Sequence, residues 1–292
     1  MVVVRLMGGL GNQLFQYAAA RRISYVNNVQ LKFDISAFNN GGSRSYCLEK
    51  FNVAGQVALP RDIARFANAD RPAFVRLYSK WADGLKFYHR RSIVRERRFH
   101  FDPNLLKVSG HVYLDGYWQS EKYFKDIQHV IRRELAFKRL PGNAKDDLAR
   151  RIRQEVSVSL HIRRGDYASD EKVKRVHGEC ELGYYHTALQ KLTGLIRDPH
   201  IFVFSDDPQW AQDNLHLSHP VTFVSRGGTE SQYEDFRLMT ICKHHIIANS
   251  SFSWWGAWLS EYPAKVVFAP KAWFKTSERD SKDIVPESWQ LI

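Results

Sequence analysis

The residues best able to do chemistry lie in one stretch, residues 156–167, with the sequence VSVSLHIRRGDY. Its alternation of apolar residues with serine, histidine and arginine is typical of a β-strand. The strand leads into Arg163, Arg164 and Asp166. Arginine binds phosphate through a rigid fork of donors, so two adjacent arginines favour an anionic ligand. A local Arg–Asp ion pair on a surface loop is the alternative interpretation.

Composition places the chain among globular proteins. It has 292 residues, of which 44% are hydrophobic and 25% charged, enough for one large domain or two of ordinary size. No run approaches the ~18 apolar residues of a membrane span. The three cysteines are separated and form no Cys-x-x-Cys pair. They therefore predict neither a disulfide framework nor a zinc site, and they favour a reducing cytoplasm.

The net charge is +12, and basic residues cluster locally at 89–91 and 95–98. Such charge can attract nucleic acid, a phosphate-bearing substrate or an anionic membrane face. The basic residues are not arranged as a nucleic-acid-binding motif with interleaved aromatics, so we predict no nucleic-acid partner. A solvated face is one interpretation of the basic residues. Weak peripheral attraction to anionic lipid, on the inner membrane face, is a second hypothesis.

The N-terminus predicts a strand, a glycine-rich turn and a helix. Residues 2–4 are valines, residues 7–13 read MGGLGNQ, and apolar residues then recur at helical spacing up to Val26. Glycine lets backbone approach a ligand, and a helix N-terminus favours negative charge. Leu14 stands where a dinucleotide fingerprint has its third glycine, so that motif is weak here. Asn12 can cap the helix or point its amide at a ligand.

The rest of the first half predicts strands at 30–34 and 111–115, and helices at 61–66, 73–81 and from residue 119, with Ser120 as the cap of the last one. The aromatic residues between 117 and 124 belong to the core or form a platform for a sugar ring. The sequence RLPGN at 139–143 breaks the pattern. We therefore predict two domains, 1–140 and 141–292.

The second half predicts strands that alternate with helices, which indicates a doubly wound parallel sheet. The strands are expected at 156–162, 201–204, 221–224, 245–248 and 265–269, and the helices near 182–197, at 230–243 and after 249. Asp207 precedes Pro208, the arrangement expected at a helix start. Polar groups follow three strands, at 163–164, 205–206 and 250–251. Since ligands bind beyond the carboxyl ends of such strands, this convergence predicts a nucleotide site.

Two absent motifs narrow the chemistry. The sequence contains no G-x-x-x-x-G-K-[ST], which argues against a P-loop phosphotransferase, and no D-x-D, the paired carboxylates that would hold a divalent ion on a diphosphate. A transferase can instead stabilise a departing diphosphate with arginines and helix N-termini.

Four motifs together resemble the bacterial α-1,2-fucosyltransferases of glycosyltransferase family 11. They are GGLGNQ at 8–13, HIRRGDY at 161–167, FSDD at 204–207 and NSSFSWWGA at 249–257. The segment YWQSEKYF at 117–124 is also similar. The resemblance runs from residue 4 to about 270, and residues 36–105 carry little of it. The H-x-R-R-G-D element is shared with α-1,6- and protein O-fucosyltransferases, whereas N-x-S-F-S-W-W is more specific.

The resemblance implies an α/β fold of the GT-B type, with two Rossmann-like domains whose doubly wound parallel sheets face a cleft. The first domain would lie on the acceptor side and the second would bind GDP-fucose, with the last helix able to pack back on the first. The implied reaction is inverting transfer of L-fucose to the 2-hydroxyl of a terminal galactose, in an O-antigen or lactose-like glycan, without cofactor or metal. A fucosyltransferase of other linkage, such as α-1,6, and a non-catalytic nucleotide-sugar-binding protein are the alternatives.

The resemblance also implies residue roles. Arg163 would hold the β-phosphate of departing GDP, and Asp206 would read guanine. Asp166 is the first candidate for a catalytic base and His161 the second, although Asp166 can equally orient an arginine. Tyr117, Trp118 and Gln119 are the expected acceptor-binding residues. The expected donor-binding residues are Gly9, Gly11, Asn12, Gln13, His161, Arg163, Arg164, Ser205, Asp206, Asn249, Ser250, Ser251 and Phe252.

Overall fold

The computed structural model describes residues 1–39, 44–67, 77, 81–138, 146–165, 175–176, 178–225, 231–275 and 280–292. The chain divides into two compact units. The first consists of Met1–Arg139 with Lys282–Ile284, and the second of Leu140–Ser281 with Val285–Ile292. Each unit is built on one parallel sheet.

The first unit contains a five-stranded sheet with the order β3-β2-β1-β5-β4. Its strands are β1 (Val2–Arg5), β2 (Leu31–Asp34), β3 (Gln56–Val57), β4 (Ile93–Arg95) and β5 (Val112–Asp115). Its helices are α1 (Leu10–Val26), α2 (Pro60–Ala67) and α3 (Gln128–Glu134). Most of the helix predicted at 73–81 lies outside the described residues.

Helix α1 is buried on several sides. Its alanines, Ala18, Ala19 and Ala20, have no exposed surface, because their small side chains allow the helix to approach its neighbours closely. Near its C-terminal half, the guanidinium of Arg21 pairs with the carboxylate of Glu134 on α3 at 2.9 Å. The predicted strand–turn–helix unit is thus confirmed, and its helix begins at Leu10, earlier than the hydrophobic periodicity suggested.

The helix predicted to begin at residue 119 is wrong. Only a short 3-10 turn, Glu121–Tyr123, forms there, and the Ser120 hydroxyl accepts a hydrogen bond from the Lys122 amide at 3.3 Å. Trp118, Tyr123 and Phe124 are all buried. A regular helix would spread these three side chains around its circumference, so burying all of them in one core favours an irregular turn.

The second unit contains a six-stranded sheet with the order β11-β10-β9-β6-β7-β8. Its strands are β6 (Ser157–Ile162), β7 (His200–Ser205), β8 (Val221–Phe223), β9 (His244–Ile246), β10 (Val267–Ala269) and β11 (Gln290–Leu291). Its helices are α4 (Asp146–Gln154), α5 (Leu182–Thr193), α6 (Pro208–Asn214), α7 (Ser231–Thr240) and α8 (Ser251–Leu259). The predicted alternation of strands and helices is confirmed.

Both faces of this second sheet are covered. One core packs Val158 and Leu160 of β6 against α5, and the other packs Phe202 and Phe204 of β7 against α4 and α7. All six residues of β6 are buried, including its serines and its histidine. The polar and apolar side chains of this strand therefore lie on opposite faces of the sheet, and both faces are buried, as is usual for parallel sheets. The Ser159 hydroxyl satisfies its hydrogen-bonding capacity with Nδ1 of His245 at 2.7 Å.

Among the residues that the structure describes, the C-terminal segment shows no last helix of the kind expected. The described residues after Ala269 include turns and the short strand β11 but no helix. Instead, Lys282–Ile284 belong to the first unit. The Asp283 carboxylate accepts hydrogen bonds from the Lys122 ammonium at 2.7 Å and from the Phe101 amide at 3.0 Å.

Helices α7 and α8 approach each other closely at Gly256, so this position has no room for a larger side chain. A Cβ atom at Gly256 would meet the sulfur and Cγ of Met239. We expect Gly256→Ala to lower the free energy of unfolding by about 1–3 kcal/mol in a urea titration, because the packed core must shift. Gly183→Ala in α5 is the matched control. Nothing lies within 4 Å of a Cβ there, and alanine should stabilise that helix by roughly 0.5–1 kcal/mol. Equal stability of Gly256→Ala and wild type would contradict the close packing.

Candidate active site

The neighbouring strands β9, β6 and β7 bring three polar strand ends to one edge of the second sheet. In the register, Ile162 pairs with Ser205, and Leu160 pairs with Ile246. The segments that follow these strands, 163–164, 206–207 and 249–251, are therefore neighbours. The sheet order thus produces the convergence that the sequence predicted.

Asp206 fixes the loop that follows β6, residues 163–165, which we call the arginine loop. One carboxylate oxygen, Oδ2, pairs with Nη1 of Arg163 at 2.8 Å, and the other, Oδ1, accepts a hydrogen bond from the backbone amide of Arg164 at 2.8 Å. A Cβ atom at Gly165 would collide with the same carboxylate, so glycine is needed for this close approach. One side chain directly after β7 therefore fixes both the backbone of the loop and a guanidinium that it carries.

Arg164 is held by three groups. Its Nη1 pairs with Glu179 at 2.6 Å, its Nε lies 3.3 Å from Asp207, and its Cζ sits 4.0 Å from the ring centroid of Trp210. Asp207 also accepts a hydrogen bond from the Trp210 amide at 3.2 Å, which confirms the predicted cap of α6. The contacts of Arg164 give it a structural function in the loop, and its predicted donor-binding role stays a prediction.

His161 is a buried, neutral imidazole at the end of β6. Burial, and then the nearby charge of Arg163, lower its pKa to about 3. Its Nδ1 has no hydrogen-bond partner among the described residues, and its ring lies 5.7 Å from that of Phe252. Such a ring can donate or accept a hydrogen bond to a ligand, but its low pKa makes it a weak base. Its role as a base stays a prediction.

Phe252 connects the sheet edge to α7, since its ring lies 5.3 Å from that of Phe236. Phe252 is the second residue of α8, and Ser250 precedes this helix without a capping hydrogen bond from its side chain. The first turn of a helix presents backbone amides and a partial positive charge. The beginning of α8 can therefore favour a phosphate, which agrees with the role expected for residues 250–252.

Asn249 fastens two loops beside this helix. Its amide nitrogen donates to the carbonyl of Gly178 at 3.1 Å and to that of Trp273 at 3.3 Å. Its side-chain oxygen is 3.5 Å from the sulfur of Cys180. Asn249 is buried, and these contacts make it a positioning residue for the loops at the sheet edge. Direct donor binding by Asn249 stays a prediction.

In the first unit, the glycine-rich turn is cross-linked by amides. Gln13 donates to the carbonyls of Gly8 at 2.9 Å and Ser45 at 2.8 Å, and it accepts from the Cys47 amide at 2.8 Å. Asn12 is the third residue of α1 and does not cap it, so the capping interpretation is wrong. A helix that starts at Leu10 leaves the cap position to Gly9.

The side chain of Asn12 is instead tied to the segment that follows β5, since its oxygen accepts a hydrogen bond from Gln119 at 2.7 Å. A Cβ atom at Gly9 would lie 3.3 Å from the Arg44 guanidinium, so this cation packs against the turn. Sequence reasoning missed Arg44, because it lies in a segment without a recognisable motif. The predicted donor roles of Gly9, Gly11 and Asn12 stay predictions.

The segment 117–119, which is predicted to bind the acceptor, follows β5. The backbone amides of Tyr117 and Trp118 donate to the Glu96 carboxylate at 2.8 and 3.0 Å. Trp118 has no exposed surface and packs edge-on against Tyr123, so it belongs to the core and offers no face to a sugar. Glu96 was missed by sequence reasoning because it is embedded in a basic run. Tyr117 and Gln119 stay predicted acceptor residues.

The described residues include neither a candidate metal site nor a helix that could span a membrane. Within the part of the chain that the structure describes, no three His, Cys, Asp or Glu side chains are grouped so that they could hold a metal ion. No helix in that part has the length and apolarity needed to span a bilayer. Asp166, the first candidate base, lies outside the described residues.

Comparison with known proteins gives the family. The sequence pattern of Glycosyl transferase family 11 matches residues 84–292. The chain belongs to this family. It is 36% identical, over 305 aligned positions, to the Escherichia coli alpha-1,2-colitosyltransferase, and the alignment covers 100% of this chain and 99% of that protein.

Two other relatives differ in how far they match this family 11 chain. It is 31% identical over 313 positions to the Escherichia coli O-antigen biosynthesis glycosyltransferase WbnK, with 97% and 98% of the two chains covered. It is 29% identical over 178 positions to the rat galactoside alpha-(1,2)-fucosyltransferase 1, with 56% of this chain and 44% of that protein covered.

Among solved structures, an Arabidopsis thaliana FUT1 mutant in complex with GDP matches with a TM-score of 0.55. The sequence identity is 11%, and the match covers 99% of this chain and 75% of that one. The likeness concerns the fold. The predicted GT-B type of fold is confirmed, with two α/β units that each contain a parallel sheet. The chain is thus a glycosyltransferase of family 11.

The buried imidazole of His161 should make the stability of the protein depend on pH. Its folded-state pKa of about 3 lies below the ordinary value of 6.5, so the unfolded chain binds this proton more readily. The stabilisation is present above pH 6.5 and is lost as the pH falls towards 3. Between pH 7 and 5 the His161 contribution to the free energy of unfolding should fall by about 2 kcal/mol.

Urea titrations at pH 7 and 5 test this expectation. Between these pH values the free energy of unfolding of His161→Gln should fall by about 2 kcal/mol less than that of wild type. His129→Gln is the control, because His129 is exposed and replacing it removes no buried imidazole. Equal pH dependence of His161→Gln and wild type would contradict the buried, neutral state.

Proposed function

We propose that this family 11 glycosyltransferase transfers L-fucose from GDP-β-L-fucose to the 2-hydroxyl of a terminal galactose, with inversion and without a metal ion. The observation that carries the proposal is the Arg163 guanidinium, which Asp206 orients at the carboxyl edge of the second sheet. The α-1,2 linkage in the names of the colitosyltransferase and of the rat fucosyltransferase supports the proposed bond.

Arg163 stabilises the departing diphosphate in the proposed reaction. The acceptor oxygen forms a bond to the anomeric carbon while the bond from that carbon to the β-phosphate oxygen breaks. The negative charge that develops on GDP is met by Arg163 and by the amides at the beginning of α8. Because Asp206 already fixes the guanidinium, little reorganisation is needed when this charge appears.

The proton of the acceptor hydroxyl must pass to a base, and we propose Asp166 for this step. Asp166 follows Gly165 directly in the sequence, next to the two arginines. His161 is the weaker candidate because its pKa of about 3 disfavours protonation. In this proposal His161 is a neutral hydrogen-bonding group for the donor.

Both oxygens of Asp206 already accept hydrogen bonds from the arginine loop. We therefore propose that its main role is to orient Arg163. Guanine reading by Asp206 would have to use the remaining lone pairs of the same carboxylate. It stays a prediction of the family resemblance.

Colitose is the second candidate for the transferred sugar. The full-length similarity to the Escherichia coli alpha-1,2-colitosyltransferase favours it specifically. Colitose lacks the 3-hydroxyl that fucose carries, so both sugars could leave from GDP by the same displacement. A site that hydrogen-bonds the 3-hydroxyl would discriminate between them by about 10⁴-fold or more, whereas an apolar site would discriminate weakly.

Donor turnover with product analysis is the test. GDP-fucose and GDP-colitose are each offered with lactose, N-acetyllactosamine or galactosyl-β-1,3-N-acetylgalactosamine, with and without EDTA. We expect EDTA-resistant transfer and an α-1,2 linkage by NMR. A preference for GDP-colitose would change the proposed donor sugar from fucose to colitose and leave the proposed reaction type intact. An α-1,6 product would overturn the proposed α-1,2 linkage. Calorimetric binding of GDP, but not of ADP or UDP, without transfer to these acceptors would keep the donor site and exclude the three acceptors.

Arg163→Ala in the same assay should lower kcat/KM by about 100-fold or more, since the diphosphate loses a charged donor. Arg197→Ala, at an exposed position of the second unit, is the matched control and should retain wild-type turnover. Near-normal kcat in Arg163→Ala would remove the proposed role of this arginine.

Asp166→Asn tests proton removal from the acceptor hydroxyl separately from stabilisation of the departing GDP. The substitution keeps the shape of the side chain and removes its basicity, so kcat should fall by about 10²–10⁴-fold, with a much smaller change in GDP affinity measured by calorimetry. Asp213→Asn, on helix α6, is the control for loss of one acidic charge. Full activity of Asp166→Asn would exclude Asp166 as the base.

A further inference from the structure

Four large apolar side chains are strongly exposed within eleven residues of the first unit. Leu77, Trp81, Leu85 and Phe87 expose 72%, 61%, 70% and 73% of their surface. We call these four residues the apolar patch. Residues 81–85 are helical, so Trp81 and Leu85, four positions apart, project from the same side. Single exposed apolar residues are common, but a group of this kind marks an interaction surface.

Basic side chains follow the apolar patch directly. Arg90, Arg97 and Arg98 are exposed cations in the following residues, while the exposed Lys86 and Arg95 pair with Asp83 and Asp115. The acidic residues of this segment, Asp83 and Glu96, are turned towards the fold. Asp83 accepts hydrogen bonds from the amide and hydroxyl of Ser92, and Glu96 accepts from the amides of residues 117 and 118. The outward charge of the segment is therefore positive.

The patch is fastened to the sheet. Besides its bonds to Ser92, Asp83 accepts a hydrogen bond from Lys86 at 3.1 Å. The guanidinium of Arg91 donates to the carbonyls of Gly84 at 2.7 Å and Lys86 at 3.3 Å. These contacts attach residues 83–86 to the chain that enters β4. The exposed side chain of Leu85 consequently extends from an anchored backbone.

We propose that the apolar patch and its neighbouring cations bind the surface of an anionic lipid bilayer. Tryptophan, phenylalanine and leucine enter the boundary between headgroups and acyl chains, and arginine and lysine pair with lipid phosphates. Charge complementarity selects this partner, because the apolar side chains are bordered by exposed cations while the nearby carboxylates are engaged within the fold. Two signals, apolar insertion and basic attraction, together give stable attachment where either alone is weak.

Vesicle sedimentation tests the proposal on the full chain. Vesicles of phosphatidylcholine with 30% phosphatidylglycerol should pellet the protein, and pure phosphatidylcholine vesicles should not. Binding should weaken strongly at 0.5 M NaCl, since salt screens the attraction. Leu85→Ala/Phe87→Ala and Arg90→Ala/Arg98→Ala should each reduce the vesicle partition coefficient about tenfold or more. Unchanged thermal melting shows that these exposed substitutions leave the fold intact.

Matched controls are available outside the patch. Leu195→Ala/Leu291→Ala removes two exposed leucines, and Arg153→Ala/Arg197→Ala removes two exposed arginines of the second unit. Both should bind vesicles like wild type. If they weaken binding as much as the patch variants, the attraction is a general effect of surface composition and the proposed site is overturned.

Trp81 provides a spectroscopic readout. The other seven tryptophans are buried or half-buried, so a blue shift of the fluorescence on addition of anionic vesicles reports on Trp81. Trp81→Phe should abolish the shift and retain most of the binding. Absence of sedimentation with anionic vesicles would overturn the proposal. So would self-association in light scattering that Leu85→Ala/Phe87→Ala abolishes without vesicle binding, because the patch would then contact a second copy.

Discussion

The carboxylate of Asp206 is the contact on which the candidate site depends. It joins the end of β7 to the loop that follows β6, with one oxygen on a backbone amide and the other on the Arg163 guanidinium. A charge-assisted pair of this kind is stronger and more directional than a neutral hydrogen bond. It holds a cation at the sheet edge from which, in the proposed reaction, the nucleotide departs. The position of Arg163 follows from the pairing of two parallel strands.

The two adjacent arginines have different surroundings, and this separates their functions. Arg164 is enclosed by Glu179, Asp207 and the ring of Trp210, so its charge is used within the protein. Arg163 pairs with a carboxylate that the next strand supplies. The buried, neutral His161 beside them adds no competing positive charge. An anionic ligand would therefore meet one oriented guanidinium in a setting whose other charges are paired.

Sequence reasoning predicted the secondary structure of the second unit well, because parallel strands and their covering helices have strong local signals. Strand β6, the cap at Asp207 and the helix after Ser250 lie where the residue pattern placed them. It was wrong at residues 119–124, where burial of Trp118 and Tyr123 overrides the local tendency to form a helix. It was also wrong about Asn12 as a cap, since a helix can begin on glycines that carry no helical signal.

The sequence by itself determined the fold class, the glycosyltransferase family and the strand ends that carry polar groups, because these depend on periodicity and on short contiguous motifs. Tertiary structure alone decided which groups act on each other. It paired Arg163 with Asp206 across 43 positions of chain, it used Asn249 and Gln13 to fasten loops, and it buried Trp118. The physical reason is that hydrogen bonds and burial depend on distances between segments far apart in sequence, and no local pattern encodes those distances.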